Sequence, residues 1–232
     1  MNFLPPLPDA SGWGWLAATM LLYLAFARLH KHLYGHVLAH PLLLSVAAII
    51  TILELSDLPA ADYAAGGDWL LLWLAPAIVA LAVPVYDNLR QVRAQLPAFA
   101  AAVLAGVSTA IFTALAVGWL FDVPHAGMLA LTTKSITSGI ALAVAGDIGA
   151  PPALAAGLVI ATGIIGVVLG VPLFRFLGLA DTPAAGVAFG VAAGGIGTAE
   201  ALRRDARAGA FAALGMGITG ALVGVVLPLF FL

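Results

Sequence analysis

In the stretch MLALTTKSITSGIALAV, Met128 to Val144, apolar residues flank a centre in which six of the seven residues from Thr132 to Ser138 are polar. On a soluble protein such a run would be an ordinary surface turn. The rest of the chain argues otherwise. Of its 232 residues 63% are apolar and 9% are charged, and the mean hydropathy is +1.11; an ordinary soluble domain is about 25% charged. The solvent is lipid. Apolar runs of about 20 residues fit helices that cross a hydrocarbon core about 30 Å thick, and the ten-residue alternation of a membrane barrel is absent. The fold class is therefore an all-α polytopic membrane protein, spanning 1–232 as one transmembrane domain.

Working outward, seven or eight hydrophobic segments are expected, some interrupted or re-entrant: Trp13 to Leu29, Val37 to Leu55, Trp69 to Tyr86, Pro97 to Leu120, Gly127 to Gly146, Pro152 to Leu177, Ala184 to Leu202 and Ala208 to Leu232. No basic residue precedes the first, so it reads as retained rather than as a cleaved leader. Arg28 and Lys31, Arg90 and Arg93, and Arg203, Arg204 and Arg207 mark cytoplasmic ends by the positive-inside rule. The break holding Asp57, Asp62 and Asp68 has no Lys or Arg and reads as an external loop. Pro76 and Pro84 interrupt the third segment. Whether Gly127 to Gly146 crosses fully is left open. Laying 13–119 over 125–231 gives four segments in each half and suggests a two-fold repeat.

Nineteen of the 26 glycines follow residue 120. Gly166 and Gly170, Gly186, Gly190 and Gly194, and Gly220 and Gly224 recur at four-residue spacing, which puts small residues on one helix face for close packing. Homodimerisation through such faces is an expectation.

Two constellations can carry chemistry. A lysine near the bilayer centre costs about 2.5–3.5 kcal/mol on insertion scales, so Lys134 and its hydroxyl neighbours must line protein or water. On a helix Lys134 would share a face with Ser138, and Thr133 with Thr137. An ammonium beside Ser135, Thr137, Ser138 and free backbone N–H groups suits a small carboxylate. The alternative is a structural lysine that snorkels or pairs with Asp147. The second constellation is Gly194, Gly195, Ile196, Gly197, Thr198, Ala199, Glu200, where three glycines in four residues weaken a helix by about 1 kcal/mol each. A break lining a cavity is expected, with Gly197 and Thr198 at the substrate. Asp147 and Glu200 are proton or ion-pair candidates, Glu200 reading more readily as a solvated carboxylate beside Arg203 and Arg204.

Other classes lack support. No cysteine is present, which removes disulfides, iron–sulfur clusters and thiol nucleophiles. Nine basic against 11 acidic residues leave no charge excess for nucleic acid. His30, His32, His36 and His40 read as a loop group rather than a metal site, so no metal and no cofactor is expected. No zinc-protease, nucleophile-elbow or phosphate-loop pattern occurs, and the chain is not expected to be an enzyme.

Three stretches resemble the LrgB/CidB family: LAPAIVALAVPVY from Leu74, TKSITSGIALAVAGDIGAPPALAAGLVIATGIIG from Thr133, and IGTAEA followed by GAFAALGMGITG. The family forms are close to LGPATVALAVPLY, PKSVTTPIA and SHAIGTAR. Lys134, Ser135, Thr137, Gly197 and Thr198 stand at motif positions; Thr133 and Gly139 replace prolines, Ala193 and Gly194 replace Ser-His, and Glu200 replaces Arg. The resemblance implies either of two functions. One is transport of small monocarboxylates, of glycolate, glycerate or pyruvate type, since the plastidial glycolate/glycerate translocator has an LrgB-like part. The other is antiholin-like regulation of murein hydrolase export and cell lysis. It also implies a small LrgA-like membrane subunit as partner and a place in the inner membrane.

Overall fold

The computed structural model describes residues 10–33 and 39–231, and among these it is helical with no strand. It divides into two compact units, Met1–Ala80 and Leu81–Leu232.

The first unit holds α1 (Ala10–His32), α2 (Pro41–Leu55) and α3 (Ala60–Ala80). Trp13 lies beside Trp69 at 6.2 Å and Trp15 edge-on to Tyr63 at 5.8 Å, so α1 and α3 run in opposite senses where they touch. Gly66 sits directly on the Gly12 carbonyl, a contact only a residue without Cβ can make. The expected external loop is shorter than read. Helix α3 begins at Ala60 and carries Asp62 and Asp68 in its first turns, because Ala60, Ala61, Ala64 and Ala65 favour helix strongly enough to override the two acids. Pro76 lies inside α3 without ending it; the interruption falls at Leu81. His30 and His40 rings stand 5.8 Å apart, while His36 lies outside the described residues. No group of three metal-binding side chains occurs among the described residues.

The second unit holds α4 (Ala82–Asp87), α5 (Leu89–Ala94), α6 (Leu96–Leu120), α7 (His125–Thr132), α8 (Ser138–Asp147), α9 (Pro152–Phe176), α10 (Pro183–Arg204) and α11 (Ala206–Phe231). Among the described residues five helices are long and apolar enough to cross a membrane, α10 among them. Length misleads for α10. A straight helix would separate residues 186 and 202 by about 24 Å. Yet Gly186 packs on Ala208 and Gly209 packs on Leu202, so both arms of α10 lie against the same turn of α11. The chain reverses at Gly194, whose φ of 53° and ψ of −134° are costly for any residue with a Cβ. Helix α10 is a hairpin.

The segment from Gly127 to Gly146 reverses as well. Gly118 of α6 faces Met128 and Leu131, so α7 runs back along α6. Gly220 and Gly224 of α11 face Ile140 and Val144, so α8 runs parallel to α11. Helices α6 and α11 are themselves parallel, with Phe99 on Phe211 at their starts. Helices α7 and α8 are therefore antiparallel, joined by a tip at 133–137. Contacts of Gly170 with Phe189, Gly166 with Ala193 and Gly163 with Ile196 run α9 opposite to the first arm of α10 and set Gly194 level with the middle of α9.

Helices α6, α9 and α11, of 25, 25 and 26 residues, are thus the long members of this unit, and the two hairpins enter from opposite ends. Charge agrees with this arrangement. All six arginines of the unit, at 90, 93, 175, 203, 204 and 207, fall at the end where α6 and α11 start and α9 finishes. The other end has Asp122, His125 and Asp147 and no Lys or Arg. The first is the cytoplasmic end by the positive-inside rule.

The expected repeat is not seen element for element, since α1 is one continuous helix where 125–147 is a hairpin. A shorter correspondence is visible inside the second unit: hairpin then long helix, twice, with opposite direction. Sequence follows it. Gly166-Val-Val-Leu169 of α9 matches Gly224-Val-Val-Leu227 of α11 at a 58-residue shift, flanked by Thr162-Gly163 against Thr219-Gly220 at 57 and Pro172-Leu-Phe174 against Pro228-Leu-Phe230 at 56. Ile136, Ser138, Ala141 and Leu142 match Ile196, Thr198, Ala201 and Leu202 at a 60-residue shift.

Each glycine pair at four-residue spacing is filled from within the chain. Gly186 and Gly190 meet the backbone of Ala208 and Ala212, Gly166 and Gly170 meet Ala193 and Phe189, and Gly220 and Gly224 meet Ile140. These faces are consumed by the fold itself, which removes the reason to expect a homodimer through them. Large side chains turned outward, such as Trp119, Phe176 and Phe230, suit contact with lipid.

Candidate functional site

The two hairpin tips meet. A Cβ built on Gly194 would stand 3.3 Å from the carbonyl oxygen of Ile136, so the second tip lies against the first with no room for a larger side chain. Each arm is 8 to 11 residues, about 12–16 Å, or roughly half of a 30 Å core. The two constellations singled out from sequence, far apart in the chain, are thereby brought together near the middle of α9.

The first tip is a turn, not a helix. Helix α7 tightens as Thr133 N–H donates to Ala130 O and Lys134 N–H to Leu131 O, and Ile136 N–H then donates to Thr133 O. Thr137 is extended and stands as N-cap of α8, its hydroxyl making no cap bond. The expected shared faces, Lys134 with Ser138 and Thr133 with Thr137, are consequently not formed. Thr132 and Thr133 are buried and donate to Leu129 O and Ala130 O. Ser135 is buried beside Lys134, whose Nζ donates to its Oγ at 3.2 Å. Thr137 and Ser138 are half-buried. The first turn of α8 leaves N–H groups of the kind that attract anions.

Lys134 opens into a groove of about 450 Å³ that Thr113, Ala114, Val117 and Phe121 of α6 and its end share with Leu131. Asp147 does not pair with it: the carboxylate lies exposed at the far end of α8, about 14 Å of helix from Ser138.

At the second tip Thr198 is fully buried, and its hydroxyl donates to Gly194 O at 2.9 Å with Met216 Sδ at 3.7 Å. Gly197 lies on the Phe189 carbonyl, so its role here is to let the returning arm close on the first arm. Among the described residues no hydrogen bond joins Lys134 or Ser135 to Thr198; backbone makes the junction. Glu200 sits lower on the returning arm and is 4% exposed, not solvated. It accepts from Arg203 Nε and an Arg203 terminal nitrogen at 2.9 and 2.8 Å, and from Arg204 Nε at 2.6 Å. Three charge-assisted bonds hold that carboxylate as an ion pair at the cytoplasmic end.

One polar group escaped the sequence reading. Thr219 of α11 is fully buried, and among the described residues its hydroxyl has no hydrogen-bond partner. A single threonine in an apolar helix gives no local signal; the match of Thr219-Gly220 to Thr162-Gly163 was the sequence feature that marks it.

Similarity to known proteins accords with this architecture. The chain is 31% identical over 218 residues to "Holin-like protein CidB" of Staphylococcus aureus, covering 92% of this chain and 93% of that one. The Staphylococcus epidermidis protein of the same name is 30% identical over 217 residues with the same coverage. A Bacillus subtilis relative, YwbG, is 32% identical over 205 residues, 87% of this chain and 89% of its own. No solved structure matches significantly. With residues 19–232 matching the LrgB-like family, and apolar helices fit to cross a bilayer, the chain belongs to that family and is a multi-pass protein of the cell membrane.

Proposed function

We propose that the chain is a carrier for small monocarboxylates of glycolate, glycerate or pyruvate type. One observation carries this: two helical hairpins enter from opposite ends and touch tip to tip at Ile136 and Gly194. Broken helices meeting near the midplane are the arrangement from which secondary transporters build sites, because backbone groups released there need a partner that lipid does not supply. The sign of the passenger follows from Lys134, an ammonium whose bond within the tip is to a neutral hydroxyl. Lys134 serves as counter-ion, with Ser135, Thr137, Ser138 and Thr198 as hydrogen-bonding groups and Gly197 permitting the close turn. Asp147 and Glu200 lie away from the tips, and any proton coupling falls to other groups. A small LrgA-like membrane subunit is proposed as partner.

The test is uptake of labelled glycolate, glycerate and pyruvate by the purified protein in liposomes, alone and with an LrgA-like subunit. Wild type accumulates at least one of them, and Lys134→Ala abolishes uptake while the melting temperature stays within a few degrees. Absence of uptake in every combination rejects the carrier.

A second reading rests on the names of the staphylococcal relatives, which favour it more directly than they favour transport: an antiholin-like regulator of murein hydrolase export and lysis. It predicts growth-phase lysis phenotypes that survive Lys134→Ala. Scoring uptake and lysis in that one variant separates the two.

A further inference from the structure

We infer that Thr219 on α11 is a further substrate-contacting residue, its hydroxyl donating to an oxygen of the bound carboxylate; this rests on the carrier reading above. Five helical hydroxyls of this protein share one habit, while Ser108, Thr109 and Thr162, none of them buried, make no such bond. Thr19, Ser45, Thr51, Thr113 and Thr198 each donate to the carbonyl four residues earlier, at 2.6–2.9 Å. That bond is always within reach on a helix and hides the hydroxyl from lipid. Thr219 does not make it, although it is completely buried. A hydroxyl left without a partner in a closed interior is costly and calls for an explanation such as a partner not always present.

The neighbours of Thr219 say where that partner would sit. One turn earlier, Met216 touches Thr198 and Gly195 at the second tip. The adjacent Gly220 faces Ile140 in the first turn of α8, and Val223, one turn later, packs in one cluster with Ile136, Ala141 and Val144. Residues 216, 219 and 223 share a helix face. Thr219 thus stands between the residue that touches the second tip and the residue that packs on the first. An oxygen anion bound beside the touching tips would find Thr219 on the long helix behind them, which gives the site a wall that does not belong to either hairpin.

The experiment compares wild type, Thr219→Val and Thr219→Ser in liposomes with labelled pyruvate, glycolate and glycerate, together with melting temperatures of the three proteins without substrate. Valine keeps the shape and removes the hydroxyl. Expected for Thr219→Val is a KM raised tenfold or more with a melting temperature equal to or above wild type, since no bond is lost when the protein is empty. Thr219→Ser keeps KM within about threefold. A wild-type KM in Thr219→Val overturns the inference and leaves the carrier standing. A melting temperature well below wild type in Thr219→Val, restored by serine, also overturns it, because the hydroxyl would then be structural. A wild type that takes up no carboxylate fails the carrier reading and this one together, a result distinguishable because it precedes any variant.

Discussion

The two hairpins do the same geometric thing by opposite means. The first, α7 with α8, reverses through five residues, Thr133 to Thr137, and its tip is crowded with side-chain hydroxyls and an ammonium. The second, α10, reverses at the single residue Gly194 and brings glycines to its tip at 194, 195 and 197. Packing differs accordingly. Residues 185–201 are largely buried between α9 and α11, whereas Gly139 and Leu142 of α8 face outward. A turn made of many residues needs its own polar bonds to hold shape; a turn made at one residue needs neighbours close enough to hold it. The first hairpin therefore concentrates the chemistry and the second concentrates the close approach. Substitutions should separate these two properties.

The largest effect is expected where the second hairpin touches backbone. A side chain on Gly190 would enter the carbonyl of Ala212, and backbone cannot rotate away as a side-chain tip can. Gly190→Leu should cost about 3 kcal/mol or more, the upper range of overpacking, and in detergent the protein should lose its monodisperse peak and most of its melting transition. A variant that melts like wild type would mean that α10 and α11 are not locked together, and the contrast between the hairpins would fail with it.

Much of this contrast was legible in the residues, though not its geometry. The polar run at 132–138 and the glycine run at 194–197 stand out because lipid penalises the one and helix stability the other. The lipid solvent and the helical class follow from composition alone. What local pattern could not supply is direction. A 22-residue apolar segment such as Pro183–Arg204 fits a crossing helix and a folded-back pair equally well, and only the contacts of residues 186 and 202 with one turn of α11 tell them apart. Glu200 differs from its expected place for a related reason: its neighbours in sequence suggest a solvated helix end, while its burial is a tertiary fact. The match between α9 and α11 was readable in principle, but a search for halves of equal length passes over it.

An intermediate effect is expected at Glu200. Glu200→Gln leaves Arg204, whose side chain is 12% exposed, without its carboxylate, while Arg203 at 57% exposed finds solvent. Removing one partner of a buried pair costs about 3–5 kcal/mol; with one arginine largely in water, about 2 kcal/mol is expected here. Thermal unfolding in detergent measures it, and added salt should change the difference little because the carboxylate is buried. Uptake at substrate saturation should persist, since the ion pair lies toward the cytoplasmic end and away from the tips. Loss of uptake in a stable Glu200→Gln would move part of the chemistry to the second hairpin.

The smallest effect is expected in the first hairpin. Gly139, the second residue of α8, has no atom within 4 Å of where a Cβ would stand. It is helical in conformation and faces outward, so alanine fits without strain and restricts the unfolded chain more than glycine does. Gly139→Ala should therefore leave stability unchanged or raise it by up to about 1 kcal/mol, read as a melting temperature at or slightly above wild type. Gly190 and Gly139 are both helical glycines within a few residues of a tip, so propensity alone assigns them the same gain on substitution. If Gly139→Ala lowered the melting temperature as Gly190→Leu is expected to, the first turn of α8 would be in contact with something the chain itself does not provide, and the outward face of the first hairpin would have to be read as a surface for a second subunit.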